Sequence, residues 1–139
     1  MTVLDTNAIS ALIGSSPELV VVDWLDRQVL KEVWTTAVTV FEIRSGLERL
    51  PEGRRRRQLE DEFDRIMADD LAGRVLPFDR DAADEAGRLL AARRRQGFTD
   101  EFRDIQIAGI VLARRATLAT RNVRHFRGLG VMIVNPWDE

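Results

Sequence analysis

The sequence predicts an α/β fold, with helices packed on both faces of a short-stranded, mostly parallel sheet. Three observations support this. Apolar runs of three to five residues alternate along the chain with longer stretches of helical period. That alternation is the order of strand–helix–strand units, whose parallel strands need helices on both faces. No linker, repeat or low-complexity segment interrupts the 139 residues, so they are read as one domain, 1–139. A chain of this length buries about two-thirds of its unfolded surface.

The elements follow in order. Val3-Leu4 is a short strand, and a helix starts near Thr6 or Asn7. Pro17-Glu18 opens a helix through about Val29, with Leu19, Val22 and Leu25 at helical spacing. Val33-Trp34-Thr35 is a second strand. Residues 36–50 are helical, with Val40, Ile43, Leu47 and Leu50 on one stripe, and Pro51-Glu52-Gly53 breaks the pattern. Residues 54–70 form a highly charged helix with Leu59, Phe63, Ile66 and Met67 inside. Val75-Leu76-Pro77-Phe78 is a third strand. Asp79 caps the next helix, which Gly97 ends. The helix near 102–115 is the most apolar. Thr117-Leu118-Ala119 and Val131-Met132-Ile133-Val134 complete the sheet, and Asn135-Pro136 closes the fold.

Composition narrows the function classes. Apolar residues make up 45% and charged residues 32%, as in an ordinary soluble globule. No apolar run approaches the roughly 20 residues of a membrane span, and no secretion signal is expected. The absence of cysteine excludes disulfides and thiolate metal sites, and it fits a cytoplasmic location. Net charge is −2, so any contact with a polyanion must be local. Twenty of the 21 basic residues are arginine, which suits bidentate phosphate contacts.

In open α/β sheets the ligand site lies beyond the carboxyl ends of the strands. Asp5 ends the first strand, followed by Thr6-Asn7. The fourth strand also runs into polar groups, Thr120-Arg121-Asn122. Glu42 lies one turn before the small residues Ser45 and Gly46. Asp104 opens the most apolar helix; Ile107, Ala108 and Val111 share its face. Taken singly, Asp5 and Asp104 also suit helix caps, and Glu42 a solvated helix face. Together they suit one crevice. Converging carboxylates repel, and a bound cation relieves that cost. An oxygen-only set favours Mg²⁺ or Mn²⁺ over Zn²⁺, and His125 is the only histidine. Carboxylate-held Mg²⁺ serves phosphoryl chemistry. The chain lacks a GxxxxGK[ST] loop and a Ser-His or Cys-His pair, and the inventory fits a phosphodiester cut by metal-activated water.

Four segments in order strengthen the reading: LDTNAIS at the start, TAVTVFEIRSGL at 36–47, RDIQIAGIV at 103–111, and ATLATRNVRHF at 116–126 ending in VNPW. From end to end the chain resembles the PIN-domain ribonucleases, and more narrowly the VapC/FitB-type toxins of toxin–antitoxin pairs. The resemblance implies a three-layer α/β/α domain and Mg²⁺- or Mn²⁺-dependent cleavage of RNA. It also implies a homodimer, within a higher toxin–antitoxin assembly, inhibited by a small antitoxin. Carried over by position, the family's acids fall on Asp5, Glu42 and Asp104, with Asp5 and Asp104 holding the metal and Glu42 completing its shell. Thr6, Asn7, Thr120 and Asn122 take the polar roles around water and phosphate. The family commonly has a fourth acid where Asn122 or His125 stands, and here neither is acidic. A second metal position is thereby in question.

Arg121 and Arg124 follow the strand end and, with His125, are candidate phosphate contacts. Arg54-Arg55-Arg56-Arg57 and Arg93-Arg94-Arg95 read as solvated helix faces, with Arg56–Glu60 and Arg57–Asp61 as i,i+4 pairs. Trp24, Trp34 and Trp137 read as core or interface anchors, and no aromatic run resembles a base-stacking platform. Two readings compete with the ribonuclease. A Mg²⁺ phosphatase would need a second Asp where Asn7 stands. An inactive module would bind an antitoxin or RNA without efficient turnover.

Overall fold

The first strand, β1 (Thr2–Leu4), shows how the layers form. Side chains alternate across a strand, so Val3 and Leu4 point to opposite faces. Both are buried, in two separate apolar clusters. Leu118 and Ala119 divide in the same way on the fourth strand, β4 (Thr117–Ala119). A sheet buried on both sides must be sandwiched between helices.

The computed structural model describes residues 1–138; Glu139, the end of the predicted domain, lies outside them. Between β1 and β4 the chain runs through α1 (Thr6–Ser10), α2 (Leu19–Asp26), β2 (Val33–Thr36), α3 (Ala37–Glu48), α4 (Arg54–Arg65), β3 (Val75–Leu76), α5 (Arg80–Arg95) and α6 (Phe102–Arg114). After β4 come α7 (Val123–Arg127) and β5 (Met132–Val134). All strand pairs are parallel, in the order β3-β2-β1-β4-β5. The chain builds outward from β1 to β3, then returns to the other side of β1 to add β4 and β5. The order in which the chain adds strands therefore reverses between β1 and β4. That is the point where α/β sheets open a crevice at their carboxyl ends.

One cluster joins Val3 and Leu118 to α5, α6 and Phe126; the other joins Leu4 and Ala119 to α1, α2, α3 and Phe63 of α4. At Gly109 of α6, an added Cβ would lie 2.5 Å from the Ala82 carbonyl oxygen and 2.7 Å from the Ala86 Cβ, so only glycine lets α5 approach this closely. Among the described residues, no helix is long and apolar enough to cross a membrane.

The structure adjusts several predicted elements. The second helix starts at Leu19 and buries Val21, Trp24 and Leu25; Leu19 itself is 71% exposed. Pro17 and Glu18 precede that helix, and Leu19 occupies its first turn on the solvent side. The charged helix ends as α-helix at Arg65, and Ile66–Asp70 continues as a π-helical turn. The third strand keeps only Val75–Leu76, because Pro77 has no amide hydrogen to donate. A 3-10 turn, Leu30–Glu32, and the short helix α7 were absent from the expected order. Five residues is too short for helical periodicity to register. As expected, the Asp79 carboxylate accepts from the Ala82 amide at 3.0 Å, and Gly97 follows the end of α5 at φ +88°.

Candidate active site

Asp5 stands where β1 ends and α1 begins. Its amide still extends the ladder to the Ala119 carbonyl at 3.0 Å, while its side chain turns into the crevice. One carboxylate oxygen accepts from the Thr6 amide at 2.8 Å, so Asp5 also caps α1. The other accepts from the Thr120 hydroxyl at 2.8 Å and lies 3.4 Å from the Asn7 amide nitrogen. Thr120 ends β4, so this bond spans the switch point directly. The Asn122 amide donates to the Thr120 hydroxyl at 3.0 Å, and the Arg121 amide to the Asn7 side-chain oxygen at 3.1 Å. The polar groups predicted at the two strand ends thus form one network.

Asp5 is only 4% exposed. Burial lifts its carboxyl from 3.8 to about 6, opposed by the bonds from Thr120 and Thr6 and assisted by the charges of Asp104 and Glu42. No cation pairs with it among the described residues. Asp5 is a buried carboxylate satisfied by neutral donors alone.

Glu42 projects from α3. One oxygen accepts from the Thr6 hydroxyl at 2.9 Å, and the other lies 3.3 Å from the Arg103 guanidinium. Asp104 sits in the first turn of α6 without capping it. Burial raises its carboxyl too, with His125 opposing and Glu42 and Glu101 assisting. His125 Nδ1 lies 3.4 Å from an Asp104 oxygen, so the exposed histidine, a candidate phosphate contact, touches the site.

The fold therefore brings Asp5, Glu42 and Asp104 to one edge of the sheet, with Thr6, Asn7, Thr120 and Asn122 around them. It does not draw the acids into a finished cage. Among the described residues, no three His, Cys, Asp or Glu side chains form a group able to hold a metal ion. Thr120, Arg103 and His125 each occupy one of the acids instead. The donors still fit a hard dication: three carboxylates, hydroxyls and amides, with Asp5 buried uncompensated.

Sequence reasoning missed Thr39, Arg103 and Glu18. Thr39 Oγ1 lies 3.3 Å from the Thr6 hydroxyl, and Thr36 caps α3 by accepting from the Thr39 amide at 3.0 Å. The hydroxyl run at the end of β2 was a usable signal, since it repeats the pattern of β1 and β4. Nothing in the sequence marks Arg103 as the partner of Glu42.

The arrangement has clear relatives. The PIN domain family model matches residues 2–130. The chain is 38% identical to the VapC ribonuclease Y4jK of Sinorhizobium fredii over 138 residues, 99% of each chain. It is 32% identical to the toxin FitB of Neisseria gonorrhoeae over the full length of both. The crystal structure of FitAcB from N. gonorrhoeae superposes with a TM-score of 0.90 at 32% identity, covering 100% of both chains.

Proposed function

The chain belongs to the PIN-domain family, in its VapC/FitB branch, and from that premise we propose that it is the ribonuclease toxin of a toxin–antitoxin pair, cutting RNA phosphodiesters with Mg²⁺ or Mn²⁺. The observation that carries the reading is Asp5, buried at the switch point without a cation while Glu42 and Asp104 both act on it. We read residues 1–139 as one nuclease domain, working in the cytoplasm where its RNA is.

The roles follow from the contacts. Asp5 and Asp104 would hold the cation, and Glu42 would complete its shell. The bound ion would supply charge neutralisation at the phosphate and a more acidic water. Thr120 and the Thr6 amide fix the Asp5 carboxylate. Thr6 fixes Glu42 in the same way. Asn7 and Asn122, at the rim, are placed to orient water or phosphate. Arg121, Arg124 and His125 line the approach.

The partners are a small antitoxin and a second copy of the chain. The solved structure of FitAB bound to a DNA fragment supports the first, and Phe78 and Phe102, both exposed and lining one shallow apolar hollow, support a contact with a second copy.

A second reading has its own support. Neither Asn122 nor His125 supplies a fourth acid, and His125 instead pairs with Asp104. A catalytically weak module that binds RNA or an antitoxin would look the same. Incubating the protein with RNA and Mg²⁺, beside an Asp5→Asn control, separates the two. Metal-dependent cleavage lost in the variant supports the nuclease, and RNA intact with both proteins supports the weak module. A small phosphomonoester offered in parallel tests the phosphatase.

A further inference from the structure

The carboxylate centre lies between two open hollows, and the segment Arg121–His125 forms the rim between them. One hollow, of about 460 Å³, is lined by Asn7, Glu42, Arg121, Asn122 and Trp137. The other, of about 370 Å³, is lined by Phe98, Asp104, Arg124 and His125. Both are in the size range of small-ligand sites.

Each hollow has the same kind of wall. In the first, the Arg121 guanidinium lies 5.1 Å from the Trp137 ring centre. Glu18 accepts from the Trp137 indole nitrogen at 3.0 Å and sits 4.0 Å from Arg121. In the second, the Arg93 guanidinium lies 3.7 Å from the Phe98 ring centre, and Asp100 grips Arg93 with both oxygens at 3.0 and 3.1 Å. Each wall is therefore an arginine stacked on an aromatic ring and pinned by a carboxylate. In the first wall Glu18 and Trp137 lie 119 residues apart, whereas in the second Arg93, Phe98 and Asp100 all lie around the end of α5. A bidentate ion pair that serves only stability needs no ring beside it, and Phe98 is 50% exposed. Arg124 is exposed and has no ion-pair partner among the described residues.

Flat, pinned walls on both sides of a phosphate-cutting centre have a natural occupant. Unstacked nucleobases pack on aromatic rings and guanidinium planes, whatever the base. A duplex keeps its bases stacked inside and cannot offer them to a hollow. We propose that the two hollows are the base subsites flanking the cut phosphodiester, one walled by Arg121 and Trp137, the other by Arg93 and Phe98. Arg124 meets the backbone phosphate on the Asp104 side. The proposal rests on the nuclease reading for the position of the cut, but the binding it describes does not require turnover.

The test uses the full chain with Asp5→Asn as background, so that binding is read without cleavage. The probe is a short, unstructured, fluorescein-labelled RNA, alone or annealed to its complement, followed by anisotropy. Trp137→Leu and Phe98→Leu should each weaken binding of the single strand about tenfold, since one stacked base is worth about 1–3 kcal/mol. Trp137→Phe and Phe98→Tyr keep a ring and should stay within about twofold of the background protein. These conservative variants, with melting curves, separate lost stacking from a damaged fold. The duplex should bind weakly and respond to none of them. In the active background the leucine variants should raise KM more than they lower kcat. Leucine variants that bind and cleave as well as the parent overturn the proposal while leaving the nuclease intact, and the hollows then belong to a polypeptide such as the antitoxin. Single-strand binding that drops in the leucine variants, in a parent that cuts nothing, supports the track and removes the nuclease reading.

Discussion

The crevice at the end of β1 holds few charges and hides them; helix α4 carries many and displays them. In the crevice, Asp5 is buried without a cation, and its carboxyl is pushed up to about 6. On α4 the charges stay at the surface, and one arginine of the run finds acids close by. Arg56 bonds Glu60 at 3.0 Å and also meets Glu48 and the Leu50 carbonyl. Arg44 of α3 reaches across to Asp64 at 2.8 Å and lies over the Phe63 ring. The richer set of charges thus keeps none of its members buried, whereas the crevice buries Asp5. Charge count does not mark the candidate site here; an uncompensated cost of burial does. The contrast can be broken in four ways.

The largest effect separates the two regions by activity. Asp5→Asn or Asp104→Asn should lower RNA cleavage by about 10²–10³-fold, the scale of removing one electrostatic contact from a reacting centre. Arg54→Ala or Arg57→Ala should change it by no more than about twofold, because screened surface charges act weakly. Initial rates on one RNA at fixed Mg²⁺ decide the matter. An Arg57→Ala enzyme as crippled as Asp5→Asn would move the substrate track onto α4.

The second effect is on stability against pH, measured without metal. Asp5 titrates near 6 in the fold and near 3.8 in the unfolded chain. Between those values the fold binds the proton more tightly, so stability must rise as pH falls through 6 and stop gaining below 3.8. The full span amounts to about 3 kcal/mol. Asp5→Asn removes the titration and should be the more stable protein above pH 6. The lost bond from Thr120 costs about 1 kcal/mol of that gain. The quantity to follow is the difference in unfolding free energy between parent and variant from pH 7.5 to 4. A difference flat across that range would mean Asp5 is not held at a cost.

The layers, the five strands and the convergence of Asp5, Glu42 and Asp104 were expected from alternation and strand-end chemistry. The sheet order was not, because periodicity records which face a strand buries and not which strand it pairs with. Without that order, the bond from Thr120 to Asp5 across the switch point had no basis. Arg103 and Glu18 were invisible for a related reason. Their partners, Glu42 and Trp137, lie 61 and 119 residues away, and an exposed charge at such a distance leaves no local pattern. Leu19 erred in the opposite direction: its spacing from Val22 and Leu25 fits a buried stripe, yet the helix starts there and turns it to solvent.

A third, smaller effect is metal-linked. An ion that binds only the folded crevice stabilises by RT ln(1 + [L]/Kd), about 1.4 kcal/mol at ten times Kd. That is a melting shift of a few degrees. Mg²⁺ should raise the melting temperature of the parent and leave Asp5→Asn unmoved, while Arg57→Ala should respond as the parent does. An equal shift in all three would assign the effect to general screening and detach the metal from the crevice.

The smallest effect lies within α4 and tests its half of the contrast. Arg56 and Arg57 are neighbours of identical chemistry, and both were expected to pair four residues on. Only Arg56 does so; Arg57 and Asp61 form no ion pair among the described residues. Arg56 also bonds the Leu50 carbonyl, tying the start of α4 to the end of the preceding turn. If display alone governed α4, the two alanine variants would melt alike. If pairing matters, Arg56→Ala melts lower than Arg57→Ala in dilute buffer, and the gap narrows as salt screens Glu48 and Glu60. The part that survives high salt belongs to the carbonyl bond, which salt does not screen. Melting curves of both variants across a salt series separate the two contributions, and coincident curves throughout would reduce α4 to a solvated face with no internal order.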